Sequence, residues 1–264
     1  MPDQVQLSHL QQTAYFAAVR AGLRILDVDA LRSLVPVSRS HATKLLAGMA
    51  QKGALHRVGR GRYVVIPSDV LYARQAFVAD PLEVVGDLMA VGDAYCVAYQ
   101  SAAFVYGAAS QIPQALLVAV PRQRRPISLG STDILFIRTQ AAKLFGIVDF
   151  SYHDASFKIS NREKTLLDCL DRSDLCGGIE EVNQTIGALL PECDSDRLLE
   201  YLPRMENQAL VHRLGFILEK WSAEQKLLDG VASIVGRRVY LLDPHGPAAG
   251  PVHPVWRVRE NVIP

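Results

Sequence analysis

Apolar residues recur at helical spacing over residues 4–23, where Leu7, Leu10, Ala14, Ala17 and Val19 predict a first helix that stops at Gly22. Asp27 or Asp29 can cap a short second helix whose Val28, Leu31 and Leu34 face inward, and Pro36 forces the chain to turn. Ser38 then stands as N-cap of a third helix reaching about Gln51. Its Ala42, Leu45, Leu46 and Met49 fall at i, i+3, i+4 and i+7, a single apolar stripe, and Gly53 closes it. Residues 54–58 and 62–66 flank Gly59-Arg60-Gly61 as a β-hairpin, and Pro67 ends the unit. Three helices followed by a hairpin predict a winged helix-turn-helix over residues 1–67.

The pattern changes beyond Pro67. Residues 68–77 and 81–90 read as helices, the second opening with Pro81 at its first position. No charged residue lies between Asp93 and Arg122, a stretch that predicts a helix over 100–107 and a strand over 115–120. Such a run is expected to be buried core; a ligand cleft lined by Tyr95, Tyr99, Gln100 and Tyr106 is the alternative. Residues 134–137 and 157–160 read as strands. Asn161 caps a helix over 162–170 with Leu166, Leu167 and Leu170 inward. Further helices are predicted over 179–190, 206–221 and 223–235, and closing strands over 238–242 and 255–258. The fold class is thus α+β: the winged helix-turn-helix, then a larger mixed α/β domain over 68–264 with a sub-boundary near 195.

Composition narrows this little. The 264 residues are 49% apolar and 21% charged, which fits a globular chain. The longest purely apolar runs, 94–99 and 115–120 among them, are six residues each, against about 20 for a membrane span. The start Met1-Pro2-Asp3-Gln4 lacks the pattern of a secretory signal, so a cytoplasmic location is expected. Cys96, Cys169, Cys176 and Cys193 form no C-x-x-C pair and are expected as free thiols.

Charge is more telling. The net +1 conceals a first segment of 66 residues with nine Arg or Lys against three Asp, while the remainder is net −5. On the third helix, the face opposite the apolar stripe carries Ser40, Thr43, Lys44, Ala47 and Gln51, with Arg39 and His41 in the first turn. That face is small or polar and free of acid, as a helix entering the major groove requires. Arg57, Arg60 and Arg62 on the hairpin would meet the neighbouring backbone or minor groove, and no Glu occurs before residue 67. Arg122, Arg124 and Arg125 form a second basic cluster that could add a DNA contact, as could Arg237 and Arg238.

Catalytic signatures are missing from the sequence: no phosphate loop, dinucleotide fingerprint, zinc helix or nucleophile elbow is present. The seven histidines show no ligand spacing, so no metal and no cofactor are expected. A nuclease reading would pair Glu163, Asp168 and Asp171 around Mg²⁺, but the leucines fill the inward face and the charges are expected to be solvated. A ligand-sensing repressor and a metal-dependent nuclease are the alternatives to a non-enzymatic DNA-binding regulator.

The succession of motifs resembles a known family. The segment Leu45-Leu46-Ala47-Gly48-Met49-Ala50-Gln51-Lys52-Gly53-Ala54-Leu55-His56-Arg57-Val58-Gly59-Arg60-Gly61-Arg62-Tyr63 looks like the N-terminal winged helix of the AbiEi-type antitoxins of abortive-infection (phage-defence) systems. Ser101-Ala102-Ala103-Phe104-Val105-Tyr106-Gly107 with Pro113, Glu163-Lys164-Thr165-Leu166-Leu167-Asp168 and Gly177-Gly178 look like its second domain. Arg213-Leu214-Gly215-Phe216-Ile217-Leu218-Glu219, Leu242-Asp243-Pro244 and Trp256-Arg257-Val258 are similar too. The resemblance implies a type IV toxin–antitoxin role: an autorepressor that binds operator inverted repeats in double-stranded DNA. Its C-terminal domain would counter a nucleotidyltransferase-like toxin without forming a stable complex. By match to the motif, Arg39, Ser40, Thr43, Lys44, Arg57, Arg60 and Arg62 would carry DNA contact. Family members often have a more strongly basic second domain, and the net acidity of residues 67–264 departs from that pattern.

Overall fold

The computed structural model describes residues 6–59, 61–73, 79–89, 92–130 and 132–262. Contacts divide the chain into two compact units. The first is Met1–Asp93 with Arg125–Leu135 and Ser151–Phe157; the second is Ala94–Arg124 with Phe136–Phe150 and Lys158–Pro264.

Helix α1, His9–Arg20, begins where Ser8 and Gln11 exchange side-chain and backbone hydrogen bonds as a capping box. It is shorter than the apolar pattern predicts, and residues 4–5 lie outside the described segments. Asp27 rather than Asp29 caps α2, Val28–Leu34, by accepting from the amides of Asp29 and Ala30. Helix α3, Arg39–Gln51, starts at Ser38 as expected, and Gly53 takes the left-handed conformation just past its end. The hairpin is β2, Leu55–Gly59, and β3, Arg62–Val65, with an irregularity between Arg57 and Gly59. A two-residue strand β1, Ile25–Leu26, adds antiparallel to β3 through the pairs Ile25↔Val64 and Leu26↔Tyr63, giving the order β1-β3-β2. Tyr15, Leu26, Leu31, Leu46 and Met49 fill the core beneath, and the Tyr15 hydroxyl donates to the Ile66 carbonyl at 2.6 Å. The same unit holds α4, Ser68–Ala73, and α5, Pro81–Leu88, which is capped by Asp80.

Beyond α5 lie β4 (Cys96–Val97), α6 (Tyr99–Val105), β5 (Ala115–Val120), β6 (Ile127–Ser128), β7 (Asp133–Arg138), β8 (Ile147–Tyr152) and β9 (Ala155–Ser160). The strands are ordered β6-β7-β5-β4-β9-β8, with β4 antiparallel to β5 and parallel to β9. Helices α7 (Arg162–Asp171), α8 (Ile179–Leu189), α9 (Ser195–Arg204), α10 (Gln208–Lys220) and α11 (Gln225–Ser233) follow. A parallel pair, β10 (Tyr240–Leu241) and β11 (Val258–Arg259), ends the chain. No helix among the described residues is long and apolar enough to cross a membrane.

The uncharged run is core along most of its helix and strand, whereas Phe104 and Ile112 are exposed. Ala102, Ala103, Val118 and Val120 are buried, and the Ser101 hydroxyl accepts from the Leu117 amide at 2.8 Å. The Tyr99 hydroxyl lies 2.9 Å from Thr139 Oγ1 and that of Tyr106 donates to the Ser160 carbonyl at 2.9 Å. These hydroxyls are occupied by protein groups, which leaves the ligand-cleft alternative without support.

Candidate nucleic-acid interface

Helix α3 separates its residues sharply. Ala42, Leu45, Leu46 and Met49 are buried, whereas Arg39, Ser40, His41, Thr43, Lys44, Ala47 and Gln51 are exposed. The hydrophobic stripe therefore fixes which way the polar face points: burying Leu46 and Met49 in the shared core leaves Thr43 and Lys44 in water. Thr43 Oγ1 donates to the Arg39 carbonyl at 3.0 Å, which holds its hydroxyl on the helix. Arg39 reaches Asp29 of α2 at 3.3 Å, an exposed pair shared with Arg32 at 3.8 Å and worth little on its own. Lys44 makes no hydrogen bond or ion pair among the described residues. It is a cation on a stiff helix with no local counter-charge.

The hairpin arginines divide by role. Arg57 is exposed and its Nε donates to the Gly59 carbonyl at 3.3 Å. Arg60 lies outside the described residues. Arg62 is half-buried, and its terminal nitrogens donate to the Leu88 and Asp87 carbonyls at 2.6 and 2.8 Å, closing the C-terminal end of α5. This structural duty is not legible in the sequence, because α5 is distant from the hairpin along the chain. Arg62→Ala is expected to lower stability by about 1.5–3 kcal/mol, the range for hydrogen bonds to a charged group, in denaturant unfolding.

Arg125 comes to the same place. Arg57, Val58, Gly59, Arg62, Leu88, Arg125, Pro126 and Ile127 line one groove of about 760 Å³, all within the first unit. The β6 strand sits beside β2 there, with His56 Nε2 3.2 Å from the Ser128 carbonyl. Arg122 is exposed, and the Arg124 guanidinium lies 5.9 Å from the Phe136 ring centroid. Of the second basic cluster, Arg125 lines the groove with Arg57 and Arg62. Arg237 and Arg238 are exposed on the second unit.

The acidic residues of α7 depart from expectation. Glu163, Lys164 and Asp168 are only 3%, 2% and 6% exposed instead of solvated. Helices α6, α8, α9 and α10 all pack against α7, so its charged side is enclosed along with its leucines. Each carboxylate has its own partner. Lys164 Nζ pairs with Asp168 one turn later. Glu163 accepts from the Asp194 amide at 2.9 Å and from Arg197 at 3.3 Å. Asp171 accepts from Lys143 at 3.1 Å and from Asn207 at 2.6 Å. Burial raises the Asp168 pKa to about 6, although Lys164 pulls it down. No three His, Cys, Asp or Glu side chains among the described residues are placed to hold a metal ion, so the Mg²⁺ nuclease alternative has no constellation behind it. The i,i+4 spacing of Lys164 and Asp168 was visible in the sequence; their burial was not.

Residues 94–220 match the family model of the AbiEi antitoxin C-terminal domain. The fold is similar to the crystal structure of the RV2827C protein from Mycobacterium tuberculosis, with a TM-score of 0.71 over 97% of this chain and 92% of that chain. At 14% identity that likeness speaks for the fold alone. No curated protein matches the sequence. The buried α7 cluster lies inside the matched segment. The match is to an AbiEi-type antitoxin family, and it supports an antitoxin role in a toxin–antitoxin system, with a toxin as partner.

Proposed function

We propose that the chain is a non-enzymatic autorepressor and antitoxin of a type IV system, whose α1–β3 segment acts as a winged helix-turn-helix on duplex DNA. The observation that carries this reading is the exposed, acid-free face of α3, with Ser40, Thr43 and Lys44 set opposite a fully buried stripe. Helix α3 would lie in the major groove, with the amides of its first turn and Lys44 on phosphates and Thr43 against base edges. Arg39 and Arg57 would reach the flanking backbone. Arg60 belongs to the same proposal from its place in the hairpin turn. Arg62 would contribute with the N–H groups that α5 does not use. Arg122 and Arg124 are proposed as secondary contacts beside Arg125.

The antitoxin half of the proposal rests on the matched domain, which would counter a nucleotidyltransferase-like toxin without a stable complex. Both halves are tested together with the full chain. The protein should protect inverted repeats upstream of its own coding sequence from nuclease cleavage, and should rescue growth when the toxin is co-expressed. Lys44→Ala should weaken protection and reporter repression yet retain rescue, because Lys44 lies on exposed helix surface outside residues 94–220. Loss of rescue and repression together in that variant would count against a division of labour, and protection unchanged by it would count against the α3 reading.

A further inference from the structure

The groove beside the hairpin has a chemistry that goes beyond the DNA contacts proposed for its arginines. Among the described residues, three guanidinium groups, Arg57, Arg62 and Arg125, line it, and no carboxylate side chain does. Arg57 and Arg125 are exposed, and Arg125 has no hydrogen bond or ion pair among the described residues. Arg62 is held in place by two backbone carbonyls, so one wall is positioned in advance. Like charges gathered around one concavity repel until an anion neutralises them, and a guanidinium fork matches phosphate oxygens two at a time. The rest of the lining is apolar: Val58, Leu88, Pro126 and Ile127. At about 760 Å³ the groove falls within the roughly 300–1,000 Å³ of small-ligand sites and is far larger than a bare phosphate needs.

We propose that this groove binds a phosphate ester of nucleotide size, its phosphates on Arg57, Arg62 and Arg125 and its ring against Val58, Leu88 and Ile127. The same chemistry is offered by a free nucleotide and by a nucleotide of a DNA strand, and two experimental arms separate them. The proposal does not rest on the repressor reading.

In the first arm, the full-length protein is titrated into a fluorescent N-methylanthraniloyl ATP. Saturable binding is expected, competed by tripolyphosphate but not by adenosine. Arg125→Ala should weaken it at least tenfold, and Arg125→Lys should restore part of the loss by keeping charge without the fork. In the second arm, a labelled 20-base-pair duplex replaces the nucleotide. If a strand is the source, Arg125→Ala lowers duplex affinity and reduces the salt slope by about one, with no nucleotide binding in the first arm. Arg125 lies on an exposed loop, and thermal unfolding of each variant verifies that the fold is kept. Equal behaviour of wild type and Arg125→Ala in both arms overturns the groove proposal, even where Lys44→Ala still weakens duplex binding. Nucleotide binding that depends on Arg125, in a protein that ignores duplex DNA, would sustain the groove and remove the repressor reading alone.

Discussion

Lys164→Met is expected to destabilise the protein by about 3–5 kcal/mol at pH 8, the cost of leaving a buried carboxylate without its cation. Lys164 and Asp168 are both almost fully enclosed by the four helices around α7, so water cannot replace the lost partner. The lysine also lies 4.9 Å from the Phe145 ring centroid, a contact that methionine keeps only as packing. The pH dependence follows from Asp168. Its folded pKa of about 6 exceeds the ordinary 3.8, so the folded state holds the proton more tightly. The stabilisation from that proton is complete below pH 3.8 and is lost as the pH rises through 6. Removing Lys164 raises the folded value further, so Asp168 stays neutral at pH 5 and the variant loses less there than at pH 8. Urea unfolding at the two pH values measures the difference. Equal losses at both, or a loss below about 1 kcal/mol, would show that the pair is solvated. A Lys164→Met, Asp168→Leu double variant should recover most of the stability, since an apolar pair has no charge to strand.

Lys44→Glu is expected to lower affinity for the upstream duplex roughly hundredfold at moderate salt, with no loss of fold. Losing a charge-assisted phosphate contact costs about 1.5–3 kcal/mol, and the new carboxylate adds repulsion from the same phosphate. Exposure of the side chain on α3 and its lack of any partner among the described residues make the change neutral for packing. Thr43→Ala offers the contrast: it should reduce preference for the operator over random duplex while changing the affinity for random duplex little. Fluorescence anisotropy on both duplexes separates the two effects.

What the sequence discloses depends on where each element finds its stability. Helix α3 was legible because its stripe, its Ser38 cap and Gly53 all lie within sixteen residues and agree. Strand β1 was not, since two residues carry no periodicity and are ordered by pairing with β3. Strand β8 was overlooked for a related reason: it is largely exposed, without the alternation of a half-buried strand. Helix α9 was not legible although Leu198, Tyr201 and Leu202 share one buried face, because it is only ten residues long and carries Pro203 near its end. The apolar pattern places the leucines of α7 correctly, yet it predicts solvated charges where the structure buries Glu163, Lys164 and Asp168. Periodicity reports one apolar face and is silent about neighbours that enclose the opposite one. The groove shows the same limit: Arg57, Arg62 and Arg125 are distant in sequence, and only the return of residues 125–135 to the first unit brings them together.

The most direct test of the DNA-reading surface is the salt dependence of upstream-duplex binding by the full-length wild type, set beside Lys44→Ala. The account predicts that log K falls linearly with log salt, by about 0.9 per phosphate neutralised, and that Lys44→Ala makes the slope shallower by about one contact. Affinity indifferent to salt, or a slope that Lys44→Ala leaves unchanged, would contradict it.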